Sequence, residues 1–329
     1  MFKWGIIGLG RIANKFASEL LETGLGIIGA AGSRDIDKAT LFTQQYGGEA
    51  FGSYDDFISN VRIDAVYIAV PHHLHAEVTL KCLKKGIPVL CEKPFTINAG
   101  ELQTIVDFQQ KNKVFLMEAM WSRFMPHIEW IKSEFDNNSF GKLLHLKAEF
   151  CFKGKERGVS QGVSRLIRNE LGGGALLDIG IYPVFLSHLF FGSPHQIHAH
   201  AKIENDIDET CQMIFTYKDG STAFLDSSIL WETDGRAEFY FEHATIIIPK
   251  KWHESNELQI KKNGSEPEIK TWKYPSRGFY FEMKEVQECL AVGKTNSDKM
   301  PLEFSMEIMK TLDKVRNKIG LQYPADIAL

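Results

Sequence analysis

Short apolar runs alternate with amphipathic stretches through residues 3–118, and this alternation constrains the fold more than any other feature of the chain. Residues 3–8, 25–32, 64–70, 88–91 and 114–118 read as strands, and 11–22, 35–46, 73–85 and 98–112 as the helices between them. Near-continuous apolar strands, each followed by a helix, predict a parallel, doubly wound α/β sheet covered on both faces. After about residue 120 the pattern changes to long period-two segments at 143–152, 209–217, 221–230 and 236–241. Lys218-Asp219-Gly220 reads as a hairpin turn between two of them. One helix at 174–190 interrupts the strands, and helices near 279–290 and 304–318 close the chain. The expected organisation is a Rossmann-like domain over 1–120 and an α+β domain with a mostly antiparallel sheet over 121–329.

The first strand runs into Gly8-Leu9-Gly10-Arg11-Ile12-Ala13, a G-x-G-x-x-A that opens a helix. Alone the pattern is compatible with a structural turn; after a strand and before a helix it reads as a dinucleotide fingerprint. Gly8 permits the tight turn, Gly10 lets a pyrophosphate approach the amides opening the helix at Arg11 and Ile12, and Ala13 allows close helix–sheet packing. The second strand ends in Ser33-Arg34, with Lys38 one helical turn on, where an NAD site carries an acidic residue. A hydroxyl and two cations suit a 2′-phosphate, so NADP is the expected cofactor and NAD the less favoured one. Asp35 stands against this, since its carboxylate could rotate inward.

Composition excludes several other classes. With 329 residues, 24% charged and a net charge of −4, the chain has core enough for two domains and no basic surface for nucleic acid. The apolar run in MFKWGIIGLG is too brief to span a membrane, and no small-residue cleavage site follows it. Five widely spaced cysteines without a C-x-x-C read as reduced core residues of a cytoplasmic protein.

Two further clusters draw attention. Asp178 and Tyr182, spaced i and i+4 on the expected helix, project from one face, and three glycines before them let the backbone approach a ligand. His72-His73-Leu74-His75 and His195, His198 and His200 invite a metal, but neither cluster has the donor pattern of a site.

The glycine loop, Glu92-Lys93-Pro94 after the fourth expected strand, and a second sheet domain together resemble the glucose-fructose oxidoreductase/inositol dehydrogenase (Gfo/Idh/MocA) family over essentially the whole chain. Met117-Glu118-Ala119-Met120-Trp121-Ser122-Arg123-Phe124 and Gly172-Gly173-Gly174-Ala175-Leu176-Leu177-Asp178-Ile179-Gly180-Ile181-Tyr182 are similar to its dimeric dihydrodiol dehydrogenase branch, which includes NADP-dependent D-xylose dehydrogenases. The resemblance implies that Lys93 lies beside the nicotinamide, often with a cis peptide before the proline, and that Glu92 faces the hydride-transfer site. It further implies cofactor contacts from His72 and His75, aromatic pocket walls from Trp121 and Phe150, and a homodimer. Many relatives carry His where this chain has Tyr182. A phenol is a poor base at neutral pH unless a cation favours phenolate, so Lys93 and Tyr182 make chemical sense as a catalytic pair, with Asp178 orienting a substrate hydroxyl. At Leu144 the branch can carry an arginine, which leaves the substrate open. The expected activity is NADP(H)-dependent oxidation or reduction of a diol, a cyclic sugar or a related carbonyl compound. The alternative classes are a sugar-sensing regulator without turnover and an enzyme whose tightly held cofactor cycles between two substrates.

Overall fold

The computed structural model describes residues 1–154 and 165–327, which divide into two compact units. The first comprises Met1–Phe124 and Tyr274–Met306, the second Met125–Lys273 and Glu307–Leu329.

In the first unit six parallel strands take the order β3-β2-β1-β4-β5-β6. They are β1 Lys3–Ile7, β2 Ile27–Gly32, β3 Glu49–Phe51, β4 Ala65–Ile68, β5 Val89–Glu92 and β6 Leu116–Ala119. Between them run α1 Arg11–Thr23, α2 Ile36–Tyr46, α3 Tyr54–Asn60, α4 His75–Lys84 and α5 Ala99–Asn112. Local chemistry sets these helix starts. Asp35 caps α2, Ser53 caps α3 and Asn98 caps α5, each accepting from first-turn amides. The strand order reverses between β1 and β4, which places the ligand crevice of such a sheet at the ends of those two strands. The 49–60 segment, which shows no alternation, supplies the short edge strand β3 and helix α3.

Helix α8, Phe279–Ala291, packs on α1 and belongs to this unit, not to the second domain expected from the sequence. The reason is a buried carboxylate. Glu19 on α1 accepts from Ser276 Oγ (2.5 Å), Gly278 N (3.0 Å) and Tyr280 N (2.7 Å), which ties the start of α8 to the sheet's first helix. Thr295 O extends the attachment, accepting from Gln109 Nε2 at 2.9 Å and Leu116 N at 3.1 Å.

The second unit is built on an eight-stranded sheet in the order β14-β13-β12-β11-β7-β10-β9-β8, antiparallel except between β7 and β10. The strands are β7 Leu143–Cys151, β8 Gln196–Glu204, β9 Ile207–Thr216, β10 Thr222–Ser228, β11 Ala237–Phe241, β12 Ala244–Ile248, β13 Glu257–Lys262 and β14 Glu268–Thr271. The turn at Lys218-Asp219-Gly220 joins β9 to β10, with Gly220 at φ +85°. One face of the sheet is covered by α7, Ile181–Phe191, which lies on β7 and β10 and contacts α6, Pro126–Asp136. The stretch Asn169–Phe191 is long and apolar enough to cross a membrane, but 89% of it is buried inside the protein as a core element. All five cysteines are buried and free. Where one helix was expected over 174–190, residues Leu176–Gly180 wind as a π turn before α7 begins. The extra residue in that turn breaks the simple i, i+4 stacking of Asp178 over Tyr182.

Glu118, at the end of β6, is 1% exposed; its Oε1 accepts from Phe95 N at 3.1 Å, and its Oε2 has no hydrogen-bond partner within bonding geometry among the described residues. Burial pushes its carboxyl up to about 7, with the nearby Glu92 adding to the rise. Because the folded value lies above the unfolded one, its contribution to stability is complete below about pH 4.3 and is lost as pH rises through about 7, at ~1.4 kcal/mol per unit between them. Glu118→Gln keeps the acceptor and cannot ionise. Its unfolding free energy relative to the parent should therefore rise from pH 5 to pH 8; a pH-independent difference in denaturant titrations would refute the assignment.

Candidate active site

The first unit presents a loop shaped for an anion. Gly8 sits at φ +90°, and a Cβ there would lie 2.6 Å from the carbonyl carbon and oxygen of Ala69, so only glycine fits. Gly10 has an ordinary φ of −84°, and its value is different: a Cβ there would meet nothing within 4 Å. The space in front of α1 is therefore open. The first turn of α1 has no side-chain cap and no acidic residue, Arg11 is exposed, Ile12 is half-buried and Ala13 is fully buried. Uncapped amides behind an open glycine form the cradle that a pyrophosphate requires, and the residues present fit a dinucleotide.

At the end of β2, Ser33 is buried and its Oγ accepts from Asp35 N at 3.2 Å. Asp35 does not turn inward. Its Oδ1 accepts from Asp37 N (3.0 Å) and Lys38 N (3.3 Å), which commits the carboxylate to the start of α2. Arg34 and Lys38 are exposed, and the Arg34 guanidinium lies beside the Tyr54 phenol, whose pKa burial raises above the ordinary value despite that cation.

The loops after β4 and β5 depart from expectation. His75 is fully buried, with Nδ1 2.7 Å from Pro94 O and Nε2 2.9 Å from Val70 O. Both ring nitrogens face backbone carbonyls, so this histidine ties the two loops together. His72 is 2% exposed, its ring 5.5 Å from that of His75. Glu92 also turns inward. Its carboxylate accepts from the Tyr67 hydroxyl and from Lys93 N at 3.2 Å, and Tyr67 in turn stacks on Phe16 with centroids 3.9 Å apart. Glu92 thus holds the backbone of Lys93 from the interior, while Lys93 is half-buried and precedes a cis Pro94. Beneath them Glu282 of α8 is fully buried without a hydrogen-bond partner for either carboxyl oxygen, and burial next to Glu92 and Glu19 keeps it protonated well above the ordinary carboxyl range. Trp121 stacks on Phe279, centroids 5.6 Å apart at 18°.

In the second unit Asp178 lies in the π turn, 7% exposed, and its Oδ1 pairs with Arg165 Nη2 at 2.6 Å. Tyr182 opens α7 inside an aromatic wall. Phe150 of β7 lies 5.2 Å from its ring and His253 5.7 Å, and Phe150 and His253 stack at 4.1 Å and 14°. Phe150 also packs on the apolar cluster of Ala175, Ile179, Ile207 and Ile229. Arg165 and His253 are members of this constellation that the sequence reading did not single out. His253 is held by its neighbour: Trp252 Nε1 donates to Glu149 O (3.0 Å), and Trp252 O receives His127 Nε2 (2.7 Å). Burial lowers His127 to about 4, so it is a neutral donor at physiological pH.

The first unit thus holds a nucleotide cradle, and the second, by itself, groups a phenol, a carboxylate–guanidinium pair and a flat aromatic surface, groups suited to moving a proton at a hydroxyl or carbonyl. Comparison with known proteins agrees with that chemistry. A family model described as oxidoreductase family, NAD-binding Rossmann fold, matches residues 2–120, and one for the GFO/IDH/MocA C-terminal domain matches 128–247. Trans-1,2-dihydrobenzene-1,2-diol dehydrogenase of Xenopus tropicalis is 32% identical over 334 residues, covering 98% of this chain and 99% of that one. The human enzyme of the same name is 30% identical over 335 residues, covering 98% of each. Among solved structures, a 3-ketoreductase from Actinomadura kijaniata in complex with NADP and TDP-benzene shares the fold at TM-score 0.84 and 24% identity, over 97% of this chain and 98% of that one. Aldose-aldose oxidoreductase from Caulobacter crescentus does so at 0.85 and 19%, over 96% and 97%. The chain belongs to the Gfo/Idh/MocA family and is an NAD(P)-dependent oxidoreductase.

Proposed function

We propose that this enzyme uses NADP(H) to interconvert a hydroxyl and a carbonyl on a vicinal diol, a cyclic sugar or a related compound. One observation carries the cofactor choice: Asp35 spends its carboxylate on the start of α2, leaving Ser33, Arg34 and Lys38 at the end of β2 to meet a 2′-phosphate. The dihydrodiol dehydrogenases that align along the whole chain support the substrate class. The bound nicotinamide supplies the hydride acceptor or donor. Tyr182 takes the hydroxyl proton in oxidation and returns it in reduction, and Lys93 provides the cation that makes phenolate accessible. Asp178, held by Arg165, accepts a hydrogen bond from a substrate hydroxyl, and Phe150 with His253 offers a ring-sized apolar face. Trp121 is a further pocket wall in this reading. The free buried thiols support a cytoplasmic location. No observation favours a regulator without turnover.

The open face of the second-unit sheet supports a homodimer. Phe224 is paired with Ile214 across β10 and β9, and Tyr240 lies one strand beyond β7; they are 47%, 43% and 36% exposed. The His145 ring fills the gap, 4.7 Å from Phe224 and 5.6 Å from Tyr240. A continuous apolar patch on an antiparallel sheet suits a second copy of the same surface.

Three measurements test these assignments. Arg34→Ala should raise KM for NADP⁺ by about 10- to 150-fold, the loss of a charged hydrogen bond of ~1.5–3 kcal/mol, with little change for NAD⁺. Equal use of both cofactors by the parent enzyme would sink the assignment. Tyr182→Phe should bind NADP⁺ normally yet lose about 10²–10⁴-fold in kcat, with Lys93→Met similar and the double variant little worse. Activity of Tyr182→Phe within about threefold of the parent, far short of a lost general acid/base, would remove Tyr182 from the chemistry. Light scattering should return a dimer mass that Phe224→Asp reduces to a monomer; a parent that is monomeric at every concentration contradicts the interface.

A further inference from the structure

The turn at 172–174 is held from three directions. A Cβ on Gly173 would lie 2.5 Å from Arg165 O and 2.8 Å from Leu166 O and Arg168 O, so the preceding segment's carbonyls close one side. Gly174, at φ +110°, has Asp208 Oδ1 only 2.1 Å from where its Cβ would stand. On the carbonyl side, Tyr323 OH donates to Gly173 O at 2.6 Å.

We propose that Asp208 and Tyr323 are positioning residues of the active site, fixing through this turn where Asp178 and Tyr182 stand. Asp208 lies on β9, yet it does the work of a helix cap. Its Oδ2 accepts from Leu176 N at 2.6 Å. That amide opens the π turn that carries Asp178 two residues later, with Tyr182 six residues later at the start of α7. Asp208 is fully buried and its Oδ1 has no hydrogen-bond partner among the described residues, a cost that packing alone gives no reason to bear.

Tyr323 is anchored in its turn. It is 1% exposed, its N–H donates to Asp326 Oδ2 at 2.9 Å, and Arg316 both pairs with Asp326 at 2.5 Å and lies over the Tyr323 ring at 5.2 Å. Asn169 Nδ2 links the two supports, donating to Asp206 O at 2.6 Å beside Asp208 and to Gln322 O at 2.8 Å beside Tyr323. Neither residue is exposed to substrate, so both act through backbone. Displacement of the turn by a fraction of an ångström moves the carboxylate and the phenol together, and reaction rates are steep in such displacements.

This inference rests on the reading that Asp178 and Tyr182 carry the chemistry, and its test separates the two. Asp208→Ala and Tyr323→Phe in the full chain should each lower kcat by about tenfold or more, with NADP⁺ affinity by fluorescence unchanged within about twofold. Asp208→Asn, which keeps an acceptor for the Leu176 amide, should return to within about threefold of the parent. Amide hydrogen exchange over 172–182 should quicken in the first two variants and not in Asp208→Asn. The proposal is overturned if Asp208→Ala and Tyr323→Phe keep parental kcat, if Asp208→Asn is as impaired as Asp208→Ala, or if cofactor affinity falls in parallel. A parent that turns over no diol or sugar with NADP⁺ refutes the functional reading alone; unchanged exchange over 172–182 in both variants then overturns the positioning role by itself.

Discussion

A helix start leaves backbone N–H groups without partners, and the way this chain satisfies them, or leaves them open, decides where its chemistry can sit. In the first unit α2, α3 and α5 are closed by Asp35, Ser53 and Asn98, while α1 begins behind Gly10 with neither a cap nor an acid. Of the two uncapped starts at the reversal of strand order, α4 carries Glu77 in its first turn and α1 carries no acid, so α1 is the one suited to an anion. In the second unit the solution is opposite: the Leu176 amide opening the π turn is filled by Asp208 from a strand. The first unit thus presents a start built to receive charge, and the second a start built to be rigid.

The interior behind Lys93 follows from low dielectric. Five glutamates, Glu19, Glu92, Glu118, Glu282 and Glu285, are buried among the described residues of the first unit. Ionising all of them in one apolar interior would be costly, and the structure separates their roles by the donors each receives. Glu19 receives three donors from the 276–280 segment, and Glu92 receives the Tyr67 hydroxyl and the Lys93 amide. Glu118 and Glu282 receive too few donors to stay charged and are pushed upward by burial. The donor-rich carboxylates do structural work: one attaches α8 to α1, the other fixes the backbone at Lys93.

Features set by local chemistry were legible in the sequence. The β–α alternation, the glycine loop, the hairpin at Lys218-Asp219-Gly220 and the strand ending in Glu92-Lys93-Pro94 all stand where periodicity and turn residues put them. Features set by distant partners were not. The attachment of α8 to the first unit hangs on Glu19 and Tyr280, 261 residues apart, and the support of the glycine turn on contacts spanning 32 and 150 residues. Nothing local distinguishes Asp208 in a strand from a surface acid, or His253 after two lysines from a loop histidine. Nor does anything local show that the His75 ring bridges the Val70 and Pro94 carbonyls.

Asp35 shows how one local rule settles a question of specificity. A carboxylate three residues past the end of β2 can serve a ribose hydroxyl or the start of the next helix, but one rotamer cannot serve both. The amides of Asp37 and Lys38 lie within the same turn as Asp35, so reaching them requires no ordering beyond that of the helix itself. Holding a ribose would leave those amides unpaired and place an anion next to any 2′-phosphate. The cap therefore does two things: it stabilises α2, and it removes the negative charge that would otherwise oppose NADP. Arg34 and Lys38 are left exposed beside an acidic neighbour that faces the helix. In the proposed reading, cofactor choice in this chain follows from where a helix begins, because the start of α2 takes up the Asp35 carboxylate.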